Sequence, residues 1–167
     1  GSNDYKNFDP ITGTPSVSDV LGNVSDAIGA LIAHGVDKFV LMTLPDLAVT
    51  PRGATLDPIT AAGGTLLVEA NNAGLKQIAS GLTAAGIDVT VVDFNRLAWE
   101  VFNDGTTFGF KTRGSILYDG ALNTYAPNEI AFFDDIHPTY AFHGVAAAFI
   151  AATKKAKKVH LFDNGSG

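Results

Sequence analysis

DVTVVDF at residues 88–94 is a short run dominated by valine and phenylalanine, and it follows a glycine, Gly86. KFVLMT at residues 38–43 is a second run of the same kind, placed just after Gly35. Short runs that are apolar almost throughout are typical of parallel strands that are buried on both faces. The two runs therefore predict neighbouring strands of a parallel sheet.

Amphipathic helices are predicted on either side of the first run. Apolar residues recur at helical spacing between Val17 and Ile32, with Ser16 or Ser18 as a possible cap and Gly35 as the end. A second helix is predicted over residues 67–86, after a long loop that reads LPDLAVTPRGATLDP. Each helix therefore leads into a strand after a short turn.

The part of the chain after the second run is predicted to contain two further helices. One lies around residues 97–102, and the last begins near Phe142, with Lys154 and Lys155 near its negatively charged end. Between them, residues 103–128 are predicted to be irregular, and IAFF at residues 130–133 to be a short extended piece.

Alternation of helices and strands with short turns indicates an α/β fold with a parallel sheet. Three long helices cannot bury their apolar faces against only two strands, and no internal repeat supplies more strands. We therefore expect residues 1–153 to be the C-terminal part of a larger, doubly wound parallel-sheet domain. Residues 154–167 are expected to form a tail or linker.

Composition narrows the classes of function. The 167 residues are 46% hydrophobic and 17% charged, which is typical of a globular domain, and the net charge of −6 argues against a nucleic-acid partner. The chain has no cysteine, which excludes thiolate catalysis and disulfide bonds. No apolar run approaches the roughly 20 residues of a membrane span, so no transmembrane segment is predicted.

The stretch DDIHPT at residues 134–139 is the first candidate for chemistry. Asp134 stands three residues before His137, so its carboxylate can accept a bond from the imidazole Nδ1–H and leave Nε2 as a general base. Thr139, after Pro138, can cap the following helix. The alternative is that Asp134 and Thr139 only cap that helix and His137 is a polar loop residue. His143 is a competing histidine, but its place within the helix favours a surface or packing role.

The stretch GSND at residues 1–4 is the second candidate. Gly1 permits a tight turn and close approach of the backbone, and the side-chain amide of Asn3 can donate to a developing oxyanion. The alternative is a simple Asx turn.

In this order and at this separation, GSND and DDIHP resemble the third and fifth sequence blocks of the SGNH hydrolases, also called GDSL-type lipases or esterases. VLMTLPDLAVTP at residues 40–51 and TTFGFKT at residues 106–112 resemble that family's branch of bacterial phospholipases, lecithinases and haemolysins. The resemblance spans about residues 1–153. It implies a flavodoxin-like domain with a five-stranded parallel sheet, of which this chain holds the last two strands.

The resemblance also implies roles for individual residues. Asp134 and His137 match the triad aspartate and histidine, Asn3 matches the oxyanion-hole asparagine, and Gly1 matches the glycine that supports it. The family's nucleophilic serine belongs to a G-D-S-L block upstream of GSND, and no G-D-S occurs in the 167 residues. We therefore expect the nucleophile in a segment before Gly1. Ser166 follows an apolar stretch with Asp and Gly, but it stands at the wrong end of the order, and Ser80 and Ser115 lack an elbow-like context.

The implied activity is ester hydrolysis by Ser-His-Asp acyl transfer on an ester or lipid, without a cofactor or metal, in a secreted bacterial protein. The upstream segment, a companion chain or a second copy is expected to cover the open edge of the strand at residues 38–43, because an open apolar edge invites pairing. A rival interpretation is a non-catalytic α/β interaction module or partner subunit. A nucleotide-binding protein is disfavoured, since no strand is followed by G-x-G-x-x-G or a P-loop.

Overall fold

The computed structural model describes residues 3–5 and 15–163, and these form two compact units. The first unit comprises Gly1–Leu44 and Leu66–Val92, and the second comprises Pro45–Thr65 and Asp93–Gly167. Gly1 and Ser166 lie outside the described residues.

The first unit holds helix α1 (Val17–Ala33), strand β1 (Lys38–Met42), most of helix α2 (Pro58–Ala84) and strand β2 (Asp88–Val92). β1 and β2 pair in parallel without a shift in register, from Lys38 opposite Asp88 to Met42 opposite Val92. Both predicted strands are thus confirmed as neighbours in one parallel sheet, but the expected burial is seen in β2 and not in β1, which has no fully buried residue. Val92 is fully buried, as a strand dominated by valine requires.

The ends of α1 and α2 follow from local chemistry. Ser16 is the N-cap of α1: its hydroxyl accepts the backbone N–H of Asp19, whose carboxylate accepts the N–H of Ser16 in return. Gly35 and Gly86 follow the two helices with φ of +88° and +87°, a left-handed conformation that glycine adopts without steric cost. Both helices therefore stop where the sequence predicts.

α2 begins nine residues earlier than predicted, because its start signal lies inside the segment interpreted as a loop. Asp57 accepts the backbone N–H groups of Ile59 and Thr60 through one carboxylate oxygen and the Thr60 hydroxyl through the other. Pro58 occupies the first helical position, where its missing N–H is not needed. Aspartate followed by proline is a favourable helix start, but apolar periodicity does not reveal it.

The second unit holds helix α3 (Phe94–Asn103), strands β3 (Thr112–Ser115) and β4 (Ile130–Phe132), and helix α4 (Tyr140–Asp163). Its core is a cluster of buried apolar side chains in which the rings of Phe110 and Phe132 pack on Phe142, with centroids 5.7 and 6.1 Å away. β4 is buried at all three positions, so it lies in the interior of this unit.

Two expectations about this part of the chain need correction. The prediction of only two strands is incomplete, because β3 and β4 form a second parallel pair. β3 reads TRGS and has no apolar pattern, so nothing in its own sequence marks it as a strand. The last helix is also longer than predicted: α4 continues to Asp163, so Lys154 and Lys155 lie within it rather than near its end.

The molecule is thus a mixed α/β protein with small parallel sheets. In the described part of the chain, β1 has β2 as its strand neighbour, and two of its apolar side chains, Val40 and Met42, are 43% and 39% exposed. Residues 3–5 and 15–163 include no helix with the length and apolar character that crossing a bilayer requires.

Candidate active site

A tight turn after β4 carries the sequence-predicted histidine. We call residues 133–139 the histidine loop. The backbone N–H of Phe133 donates to the carbonyl of His137 at 2.8 Å, which closes the loop on itself. Thr139 then anchors its far end: its hydroxyl donates to the carbonyl of Ile130 at 2.8 Å, and its N–H donates to Ala131. The same hydroxyl accepts the N–H of Phe142, so Thr139 caps α4 as predicted.

Inside this loop Asp134 makes three hydrogen bonds to residues that follow it. One carboxylate oxygen accepts the backbone N–H groups of Ile136 and His137, at 2.8 and 2.6 Å. The other lies 2.7 Å from the Nδ1 atom of His137. The aspartate therefore shapes the loop and orients the imidazole at the same time.

The pairing sets the chemistry of the imidazole. With Nδ1–H donating to the carboxylate, the neutral ring carries its lone pair on Nε2 and can take up a proton there. The His137 side chain is 75% exposed, whereas that of Asp134 is 20% exposed. A group approaching from outside can thus reach the ring, while its carboxylate partner is partly shielded.

The hydrogen bonds also keep Asp134 ionised. Desolvation acts to raise the pKa of this carboxyl group, but the bonds from the His137 and Ile136 backbones and the His137 ring outweigh it and lower the pKa from 3.8 to about 2. Asp134 is therefore a carboxylate at any pH at which a histidine base could operate.

This pKa shift predicts how stability depends on pH. Because the pKa is lower in the folded state, the stabilisation is fully present above pH 3.8 and is lost as the pH falls towards 2. We expect the free energy of unfolding to differ most between wild type and Asp134→Asn above about pH 4, and the difference to shrink towards pH 2. Urea denaturation at pH 5, 3 and 2 measures this difference in the free energy of unfolding. A difference that is constant over this range contradicts the lowered pKa of Asp134.

The neighbouring aspartate has a different partner. The carboxylate of Asp135 lies 2.8 Å from Nε of Arg52, and its backbone carbonyl accepts the N–H of Arg52 at 2.9 Å. Arg52 lies between two 3-10 turns, Leu47–Val49 and Gly53–Thr55. Glycine is required at the start of the second turn, since a Cβ atom on Gly53 would overlap the carbonyl oxygen of Leu47. This contact joins residues 83 apart in sequence, and no local motif could have revealed it.

Three further candidates from the sequence are Asn3, His143 and Ser115. Asn3 is exposed in a turn of the first unit, two residues before Tyr5, whose buried hydroxyl donates to the Asn71 side chain at 2.8 Å. The expectation that Asn3 faces His137 stays a prediction. His143 is an exposed residue of α4. Ser115 is fully buried and its hydroxyl oxygen accepts the N–H of Tyr118, which is a turn-stabilising role.

Metal binding needs several ligands close together. Within the described residues, no three or more side chains of histidine, aspartate or glutamate are grouped so that they could hold a metal ion.

Comparison with known proteins identifies the family of the chain. The family model described as GDSL-like Lipase/Acylhydrolase matches residues 1–150. A search of curated proteins finds no match. The matched range includes GSND at its start and the whole histidine loop near its end. Because the match covers most of the 167 residues, the chain belongs to the GDSL-like lipase and acylhydrolase family of hydrolases.

Proposed function

We propose that this chain supplies the base, the orienting acid and an oxyanion donor of a serine esterase or lipase. The observation that carries the proposal is the 2.7 Å contact between Asp134 and His137 on the loop before α4, in a chain of the acylhydrolase family. In the proposed reaction a serine Oγ attacks an ester carbonyl. His137 Nε2 takes the serine proton and later returns it to the leaving alcohol.

Asp134 has an electrostatic role in this scheme. When His137 accepts the proton, the ring becomes an imidazolium cation, and the adjacent carboxylate stabilises that charge. A carboxylate with a pKa of about 2 does not take the proton itself. Its bonds to two backbone N–H groups hold it in place throughout the cycle.

Asn3 is proposed to stabilise the tetrahedral intermediate. Its side-chain NH2 would donate to the oxyanion, with backbone support from Gly1. A preorganised donor of this kind typically contributes about 3 to 4 kcal/mol to transition-state stabilisation. Asn3 is exposed, so its amide is accessible to a substrate.

The nucleophile is proposed to lie in sequence upstream of Gly1, since the family's G-D-S-L block precedes GSND and the 167 residues contain no G-D-S. The same segment, or a companion chain, is proposed to complete a doubly wound parallel sheet along β1, whose Val40 and Met42 are solvent-exposed. An ester or lipid outside the bacterial cell is the proposed substrate, in keeping with the family branch that the sequence resembles.

Complementation tests the proposal. Residues 1–167 should show no turnover of a short-chain aryl ester, whereas the same chain preceded by its upstream segment, or mixed with that segment, should hydrolyse it. The matched control carries His137→Ala and should be inactive in both forms. Activity of residues 1–167 alone that survives His137→Ala would contradict the mechanism. A complete protein that folds and binds a partner but hydrolyses no ester would instead support the non-catalytic module.

A further inference from the structure

We propose that a small apolar cavity behind the histidine loop binds the acyl chain of the ester and selects short chains. The inference rests on the proposed ester hydrolysis and adds a binding site to it. The cavity lies wholly within the second unit, between α3, the turn at residues 45–50 and the histidine loop. We call it the acyl pocket.

The position of the acyl pocket links it to the proposed chemistry. Ile136 and Pro138, the two residues on either side of His137, both line it. The side chain of His137 between them is 75% exposed. The cavity therefore lies directly beside the residue that is proposed as the base.

The chemistry of the walls favours hydrocarbon over water. Ala98 and Val101 of α3 line the pocket together with several phenylalanine rings, and almost all of the lining surface is carbon. The charged residue among the lining side chains is Arg113, whose guanidinium lies 3.9 Å above the ring of Phe102 and donates to the Phe102 carbonyl. An apolar cavity of this kind offers water few hydrogen-bond partners and takes up apolar groups instead.

The size of the pocket sets the chain length. Its volume is about 60 Å³, and a water-sized group needs roughly 10–15 Å³ of such space, so about four to six groups fit. That space suits an acyl chain of about four to six carbon atoms, and a long fatty acyl chain would have to leave most of its length outside. The acyl pocket thus points to short-chain esters as the preferred substrates.

Chain-length preference of the full-length protein tests the proposal. The substrates are the p-nitrophenyl esters of acetate, butyrate and octanoate, and wild type should have its highest kcat/KM with butyrate. Ala98→Leu fills the cavity from α3, where leucine is a good helix former. It should lower the ratio of kcat/KM for butyrate over acetate by about tenfold or more, because each lost methylene contact is worth a factor of several in binding.

Ala146→Leu is the matched control. Ala146 is as deeply buried as Ala98, at 7% against 5% exposed, but it does not line the pocket, so the butyrate to acetate ratio should stay at the wild-type value. If the leucine variant does not fold, Ala98→Val replaces it and occupies less of the cavity. Thermal denaturation identifies the folded variants. A folded Ala98 variant that slows all three esters equally overturns the proposal, as does a wild type that prefers octanoate.

A binding measurement separates this inference from the proposed function. Butyramide, an uncharged mimic of a butyryl ester, is titrated into His137→Ala while the methyl NMR signals of Val49 and Val101 are followed. Saturable shifts that disappear on adding Ala98→Leu support the pocket, even where no ester is hydrolysed and the proposed function fails. Hydrolysis by wild type with no such shifts overturns the pocket and leaves the proposed function standing.

Discussion

His137→Ala is expected to lower kcat for ester hydrolysis by a factor on the order of 10⁵ to 10⁶ in the full-length protein. Without the imidazole, no group takes the proton of the attacking serine or returns one to the leaving alcohol. The loop itself should survive, because the bonds from Asp134 to the backbone N–H groups of residues 136 and 137 do not involve the ring. Steady-state hydrolysis of p-nitrophenyl butyrate, with circular dichroism to show an intact fold, measures the loss.

His143→Ala is the matched control for this substitution. His143 is exposed and lies in the first turns of α4, six residues after His137. Its removal should change kcat by about twofold or less, since most surface substitutions disturb little. If His137→Ala kept a tenth of the activity, or His143→Ala lost as much as His137→Ala, the wrong histidine would have been assigned.

Asp134→Asn is expected to lower kcat by about 10⁴-fold, the second largest effect. The asparagine side chain can present its NH2 group to Nδ1, which then acts as the acceptor and forces the ring proton onto Nε2. In that tautomer Nε2 cannot accept the serine proton, although the loop keeps nearly the same shape. The lost negative charge also removes the stabilisation of the imidazolium. Measuring kcat and KM separately with p-nitrophenyl butyrate tests this expectation. The loss should appear in kcat.

Asp135→Asn gives a control at the next position in the sequence. Its partner is Arg52 rather than His137, and an asparagine oxygen can still accept from the Arg52 Nε–H. The pair is about half exposed at the arginine and a third exposed at the aspartate, so its contribution to loop stability is small. We expect less than a tenfold loss of kcat. A larger loss from Asp135→Asn than from Asp134→Asn would show that Asp135 is the orienting acid.

Part of the structure could be predicted because its cause is local in sequence. The valine-rich run at residues 88–94 and its partner at residues 38–43 form the first parallel pair, as apolar runs of strand length between helices predict. Gly35 and Gly86 end helices through a backbone conformation that other residues avoid. Asp134 and His137 are three residues apart, close enough for one turn to bring their side chains together.

Other features depend on residues that are distant in sequence, and only the tertiary structure decided these. β3 has a polar sequence and exists because β4, whose paired residues lie 17 and 18 positions later, supplies the matching backbone groups. Arg52 meets Asp135 across 83 positions, and the acyl pocket is a space left between side chains from several segments, so neither has a signature in any single stretch. The sequence by itself therefore determined the first strand pair, the C-terminal ends of the first two helices and the aspartate–histidine pair, because nearby residues are held together by covalent geometry. Contacts between remote segments were decided only by packing, in which each segment's conformation depends on surfaces that the others provide.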